Sequence, residues 1–214
     1  SDILREKAGD PKAELFRLLH RGSLAFEQEE YRRAGCCYAQ AYRRSRQLCP
    51  DLSFDTLFGL FRSLLALERA GPARRCLARM RDRRHTPLQA ALLQACEAMV
   101  LEQDDRPEQA RQGFAEALRF FERIPDESGY LGRAFAGGAA LRFALSRDPG
   151  QVPALAASLG RLAEELEARG IRNRTVLGKL QSLLDEARCR QAETHLDLGW
   201  IALSPAMKQL EAAA

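Results

Sequence analysis

Lysine is scarce in this sequence. Lys7, Lys12, Lys179 and Lys208 are the only four in 214 residues, so nearly every positive charge is an arginine. Tryptophan is rarer, with Trp200 alone, and histidine occurs only at His20, His85 and His195. Histidines this scattered supply no metal-ligand spacing, and the six cysteines (Cys36, Cys37, Cys49, Cys76, Cys96, Cys189) contain no CxxC pair. No metal or other cofactor is therefore expected. The cysteines read instead as buried or half-buried free thiols in a reducing compartment. No run approaches the roughly 18 apolar residues of a membrane helix, so membrane insertion is not expected. A basic-then-apolar leader is also missing, and the expected location is cytoplasmic, with the nucleus left open. No Gly-rich phosphate loop, HExxH, GxSxG or Cys/His constellation occurs. Glu164-Glu165 and Asp104-Asp105 read as helix-face and turn carboxylates, not as a tuned acid/base pair. The chain is accordingly expected not to be an enzyme.

Strand alternation is absent too; what the chain has is apolar residues at helical spacing. In residues 15–45, Leu15, Leu18, Leu19 and Gly22 to Phe26 form one stripe. After a polar break at Gln28–Glu30, Tyr31, Ala34, Tyr38, Ala41 and Tyr42 form a second. Two helices this short cannot cover both stripes, so a neighbour of similar shape is required. Before them, Asp10-Pro11 suits a helix start, with Asp as cap and Pro as first helical residue. Further helices are expected across Leu57–Leu67, from Ala73 to about Arg84 after a Gly71-Pro72 turn, and across Leu88–Leu101. Others follow from Pro107 to Phe121, Gly129 to Ser146, Pro153 to Ala168 and Asn173 to His195. The Gly- and Ala-rich stretch from Gly129 should let a neighbouring backbone approach closely.

One spacing recurs among these helices. Gly22, Ala34, Tyr38 and Ala41 are separated by twelve, four and three residues. The same steps hold for Leu64, Cys76, Met80 and Arg83, for Ala98, Ala110, Phe114 and Ala117, and for Ala144, Ala156, Gly160 and Ala163. Small side chains let antiparallel helices touch while an aromatic fills the groove between them. This pattern resembles the tetratricopeptide repeat, most clearly in YRRAGCCYAQAY and RPEQARQGFAEAL. The second copy departs at Arg83, where the family has a small residue, and the fourth matches weakly.

The resemblance covers about residues 15–170. It implies an all-α, right-handed superhelix of antiparallel helix pairs: a lead-in over 1–12, about four pairs over 13–170, and a capping helix with C-terminal tail over 171–214. It also implies a concave groove, lined by the first helix of each pair, that binds a peptide or amphipathic helix of another protein. Carried over by station, that groove takes Phe16, Leu19, Ser23, Phe26, Phe58, Phe61, Arg62, Leu65, Leu92 and Met99. The same phenylalanines could equally be core, since helical spacing alone does not separate the two. Family members that hold the acidic ends of chaperones use a cationic clamp. The matching stations here are Leu19, Ser23, Arg62, Leu92 and Cys96, of which one is cationic, so that clamp is missing.

Charge is unevenly spread. Residues 31–85 carry thirteen arginines against four acids, and residues 94–128 carry four against nine. Such a split steers partners or pairs successive repeats, or else marks solvated faces. The densest patch is Arg74, Arg75, Arg79, Arg81, Arg83 and Arg84, which could grip an acidic protein segment or phosphates. It lacks interleaved aromatics for base stacking, which disfavours nucleic acid. At the C-terminus, Leu198, Trp200, Ile201 and Leu203 could cap the last repeat or dock into a groove, including that of a second copy. The leading expectation is a protein-binding scaffold or adaptor. An electrostatic binder and a homo-oligomer formed through the C-terminal segment are the alternatives.

Overall fold

The structure, a computed structural model, describes residues 10–82, 85–170 and 176–190. Every regular element among them is helical. In order these are α1 (Pro11–Glu27), α2 (Tyr31–Leu48), α3 (Ser53–Ala66), α4 (Ala70–Arg81), α5 (Pro87–Gln103), α6 (Pro107–Phe121), α7 (Glu127–Arg147) and α8 (Val152–Ala168). A further helical stretch, α9, covers residues 176–190. The all-α class expected from the sequence is what the described residues form, with helices packed in adjacent pairs. By packing, the chain divides into two compact units, Ser1–Ala117 and Leu118–Ala214, so the division falls inside α6. Gly170, just past the end of α8, takes a φ of 70°.

Local chemistry starts several helices. The Asp10 carboxylate accepts from the Lys12 N–H at 2.9 Å, with Pro11 opening α1. Thr86 and Gln89 form a reciprocal capping box at the head of α5, with Pro87 at the first helical position. Asp126 accepts from the Gly129 N–H at 3.2 Å to begin α7.

Three connections in the chain are copies of one turn. Glu29, Glu68 and Asp105, between α1 and α2, α3 and α4, and α5 and α6, lie in the left-handed region at φ 62°, 57° and 56°. In each turn the next N–H reaches back five residues. Glu30 donates to the Ala25 carbonyl at 2.9 Å, Arg69 to Leu64 at 2.9 Å, and Arg106 to Leu101 at 3.0 Å. This closure satisfies a helix's last carbonyls and is usually made by glycine. The second reversal thus lies at Leu67–Arg69 and not at Gly71-Pro72, which belong to the first turn of α4. Proline fits there because the first N–H groups of a helix have no intrahelical acceptor.

In the first unit, Leu57 and Phe61 of α3 pack with Cys76, Leu77 and Met80 of α4 and Cys96 and Val100 of α5. The Tyr38 ring of α2 lies between two glycines. It sits 3.1 Å from where a Cβ on Gly22 of α1 would stand, and closer still to the Cβ position of Gly59 on α3. Only residues without side chains leave that slot open. Where α2 meets α3, the buried hydroxyls of Ser45, Ser53 and Thr56 satisfy one another. Ser45 Oγ lies 3.1 Å from Ser53 Oγ and 3.4 Å from Thr56 Oγ1, so their burial carries no unpaired polar group. Gly113 of α6 presses on Ala98 of α5, with 3.0 Å between the two Cβ positions.

In the second unit, Leu141 and Leu145 of α7, Leu159, Leu162 and Leu166 of α8, and Leu180 and Leu184 of α9 share one core. The glycines of α7 admit mainly side chains, contrary to the expected approach of a backbone. Gly132 receives the Phe121 ring, and Leu159 Cδ2 lies 2.7 Å from the Cβ position of Gly137; at Gly129 the neighbour is the Ile124 carbonyl.

Candidate functional site

Helix α1 turns Leu15, Leu18, Gly22 and Ala25 into the core. At about 100° per residue, Phe26, Leu19, Ser23 and Phe16 follow along one flank of that stripe. Helix α3 presents Phe58, Arg62 and Leu65 on one side in the same way. These two flanks meet at Arg62, whose guanidinium lies 4.3 Å from the centre of the Phe26 ring and 5.6 Å from that of Phe58. Each such stack contributes roughly 0.5–1 kcal/mol at a partly exposed position. Phe26 takes the Tyr31 ring at an edge, 5.3 Å between centres, and Phe58 stacks on Phe54 at 6.5 Å. Tyr38 enters from α2, its ring against Gly22 and Gly59. Burial raises the pKa of that phenol, and the Arg62 charge pulls it partly back.

Among the groove residues expected from the sequence, Phe16 is 55% exposed. Ser23 is exposed as well, while Leu19, Phe26, Phe58, Arg62, Leu65, Leu92 and Met99 are half-buried. Phe61 is a correction. It is fully buried among α4 and α5 residues and is core, not surface. Leu92 and Met99 rest against that same core. The face is therefore an aromatic strip with a cation at its centre. What the sequence reading missed is that Arg62 bridges two helices; the four-residue spacing of Phe58 and Arg62, which places them one turn apart on α3, was the available sign.

Of the basic patch, the structure describes Arg74, Arg75, Arg79 and Arg81. Arg74 pairs with Asp104, and Arg81 Nε lies 2.6 Å from Glu97 Oε1, so part of the basic stretch is answered by acids from α5 and its C-terminal end. Exposed pairs of this kind contribute about 0–1 kcal/mol each. Arg75 and Arg79 are exposed. Arg83 and Arg84 lie outside the described residues, as do Leu198, Trp200, Ile201 and Leu203.

All six cysteines are free: Cys37, Cys76 and Cys96 buried, Cys49 half-buried, Cys36 and Cys189 exposed. Burial pushes the Cys76 and Cys96 thiols up, strongly for Cys96, so both are protonated and unreactive at neutral pH. Among the described residues no group of His, Cys, Asp or Glu could hold a metal ion, and no helix is long and apolar enough to cross a membrane. No family model matches the chain, and no curated protein is similar enough to count as a relative.

Proposed function

We propose that the chain is a non-enzymatic interaction module, a tetratricopeptide-like scaffold or adaptor. In this reading its helix pairs stack as a right-handed superhelix and hold a segment of another protein along the α1/α3 flank. The recurring station spacing and the three identical turns support repetition of one hairpin unit. The observation that carries the binding role is the strip Phe16, Leu19, Phe26, Arg62 and Phe58. Aromatic rings with an arginine among them are the side chains most enriched where proteins anchor one another. An amphipathic helix would lay apolar side chains over Phe16, Leu19 and Phe26 and bring a carboxylate toward Arg62. A guanidinium already held against two rings loses little freedom on meeting it. Six free thiols suit a reducing, cytoplasmic setting.

The test compares wild type with the Phe16→Ser/Phe58→Ser double variant as immobilised bait in lysate, with helicity followed by circular dichroism. Phe61 stays untouched, because its loss would disturb the core. The reading expects specific partners to disappear from the double variant at unchanged helicity, and wild-type binding to survive moderate salt. It fails if the same partners remain on the variant, or if modest ionic strength alone removes them.

A further inference from the structure

A second surface of the first unit gathers charge that no other described residue neutralises. Between α2 and α4 lies an open cleft of about 780 Å³ with Tyr42 and Leu60 in its wall and Arg43, Arg46, Arg79 and Asp82 around them. Tyr42 and Leu60 are half-buried and back onto the core, whereas the four charged residues are exposed. The arginines nearby are sorted by direction. On α2, Arg44 pairs with Glu14 of α1 at 3.3 Å, while Arg43 and Arg46 line the cleft. On α4, Arg74 and Arg81 pair with Asp104 and Glu97, while Arg79 lines the cleft. Among the described residues none of the three cleft arginines has an ion pair or side-chain hydrogen bond, and the single acid there, Asp82, has none either.

We infer that this cleft binds an acidic, amphipathic peptide segment of another protein. Three guanidinium groups on two facing helices match carboxylates presented from both sides of such a segment. The Tyr42 and Leu60 wall calls for an apolar side chain between those carboxylates. Asp82 decides against a polyphosphate chain, which would have to pass a fixed negative charge; a peptide can turn its own N–H groups toward it. The site shares no residue with the α1/α3 strip and stands or falls separately from it.

Fluorescence anisotropy on the full chain tests this with three labelled probes: a short glutamate peptide carrying leucines at helical spacing, an all-glutamate peptide of equal length, and an oligothymidylate of similar charge. The leucine-bearing peptide should bind most tightly. Arg43→Ala or Arg79→Ala should weaken it about threefold each, and the pair together by about tenfold. Arg75→Ala, on α4 but outside the cleft, should change little. Since the cleft arginines are exposed and have no ion pair among the described residues, these variants should keep wild-type helicity. Equal binding by the Arg43/Arg79 variant overturns the inference, as does an equal loss in Arg75→Ala or no binding of any peptide. An oligothymidylate that binds best, with the same arginine dependence, overturns it in favour of a phosphate polymer.

Discussion

Replacing glycine by alanine inside a helix ordinarily stabilises a protein by about 0.5–1 kcal/mol, because the unfolded chain loses freedom and the helix gains a better former. Two glycines at the α2/α3 interface should answer this substitution with opposite signs. A Cβ on Gly35 would meet Ser63 Cβ at 3.6 Å and Leu60 Cδ1 at 3.9 Å, which is ordinary contact. Gly35→Ala should therefore realise most of that gain. On Gly59 the added Cβ would fall inside the Tyr38 ring's contact distance, with Cζ only 2.5 Å away. Carbon atoms rest at about 3.5–4.0 Å, so the ring would have to retreat by about 1 Å. Its other side is occupied by Gly22, whose own Cβ position is already 3.1 Å from the ring. Overpacking of that kind costs about 1–3 kcal/mol, which outweighs the propensity gain and leaves Gly59→Ala destabilising by about 1–2 kcal/mol. Urea denaturation followed by circular dichroism measures both. The cycle with Tyr38→Ala is decisive: once the ring is gone, Gly59→Ala should turn neutral or stabilising. If Gly59→Ala raises stability in the presence of Tyr38, the slot is not as described and the α1–α2–α3 packing argument fails.

At the three repeated turns, Glu68→Gly or Glu29→Gly should stabilise by about 0.5–1 kcal/mol, since a left-handed conformation costs a side-chain-bearing residue more than glycine. A lower denaturation midpoint would contradict the backbone geometry. Thiol labelling of the native protein should modify Cys36 and Cys189 rapidly and leave Cys37, Cys76 and Cys96 untouched until denaturant is added, as peptide mapping would reveal. Alkaline pH should weaken folding. The Cys76 and Cys96 thiols and the Tyr38 phenol are raised above their ordinary values of 9.0 and 10.0, so the unfolded chain releases those protons first. Their contribution is complete below about pH 9 and is lost as pH rises past the ordinary values toward the folded ones. Tyr38→Phe should flatten the part above about pH 10, and an unchanged slope would show that the phenol is not buried.

Helix starts were legible because their signals are local: Asp10-Pro11 and Thr86-Pro87 announce themselves within two residues. The turn at Leu67–Arg69 was not, since a glutamate there does the work that glycine usually marks. Gly71-Pro72 nearby carries the stronger turn composition but lies inside α4. Phe58 and Phe61 differ in fate for a similar reason. Both lie on the apolar side of α3, three residues apart, and periodicity cannot say that Met80 and Cys96 close over one while Arg62 covers the other. The sequence groups the arginines around α4 into one dense patch. Their actual sorting depends on Asp104 and Glu97, more than fifteen residues away, and on α2, so no window around residue 80 contains the answer.

In the first unit the two candidate surfaces follow from one arrangement. Helices α1 and α3 touch each other through Phe26 and Arg62, and α2 and α4 flank the arginine cleft. Composition follows that alternation: α1 and α3 hold Arg17, Arg21 and Arg62, whereas α2 and α4 hold nine arginines between them. Hydrophobic anchoring is thus concentrated on one pair and positive charge on the other. If that partition is functional, the two sets of variants must not cross. Phe16→Ser/Phe58→Ser should leave anisotropy of the acidic peptide within twofold or so of wild type, and Arg43→Ala/Arg79→Ala should leave the lysate partners of the aromatic strip in place. Sites this separate, with no shared residue, are expected to be additive. Loss of both activities by either double variant, with helicity intact, would mean a single continuous binding surface and would end the division into two.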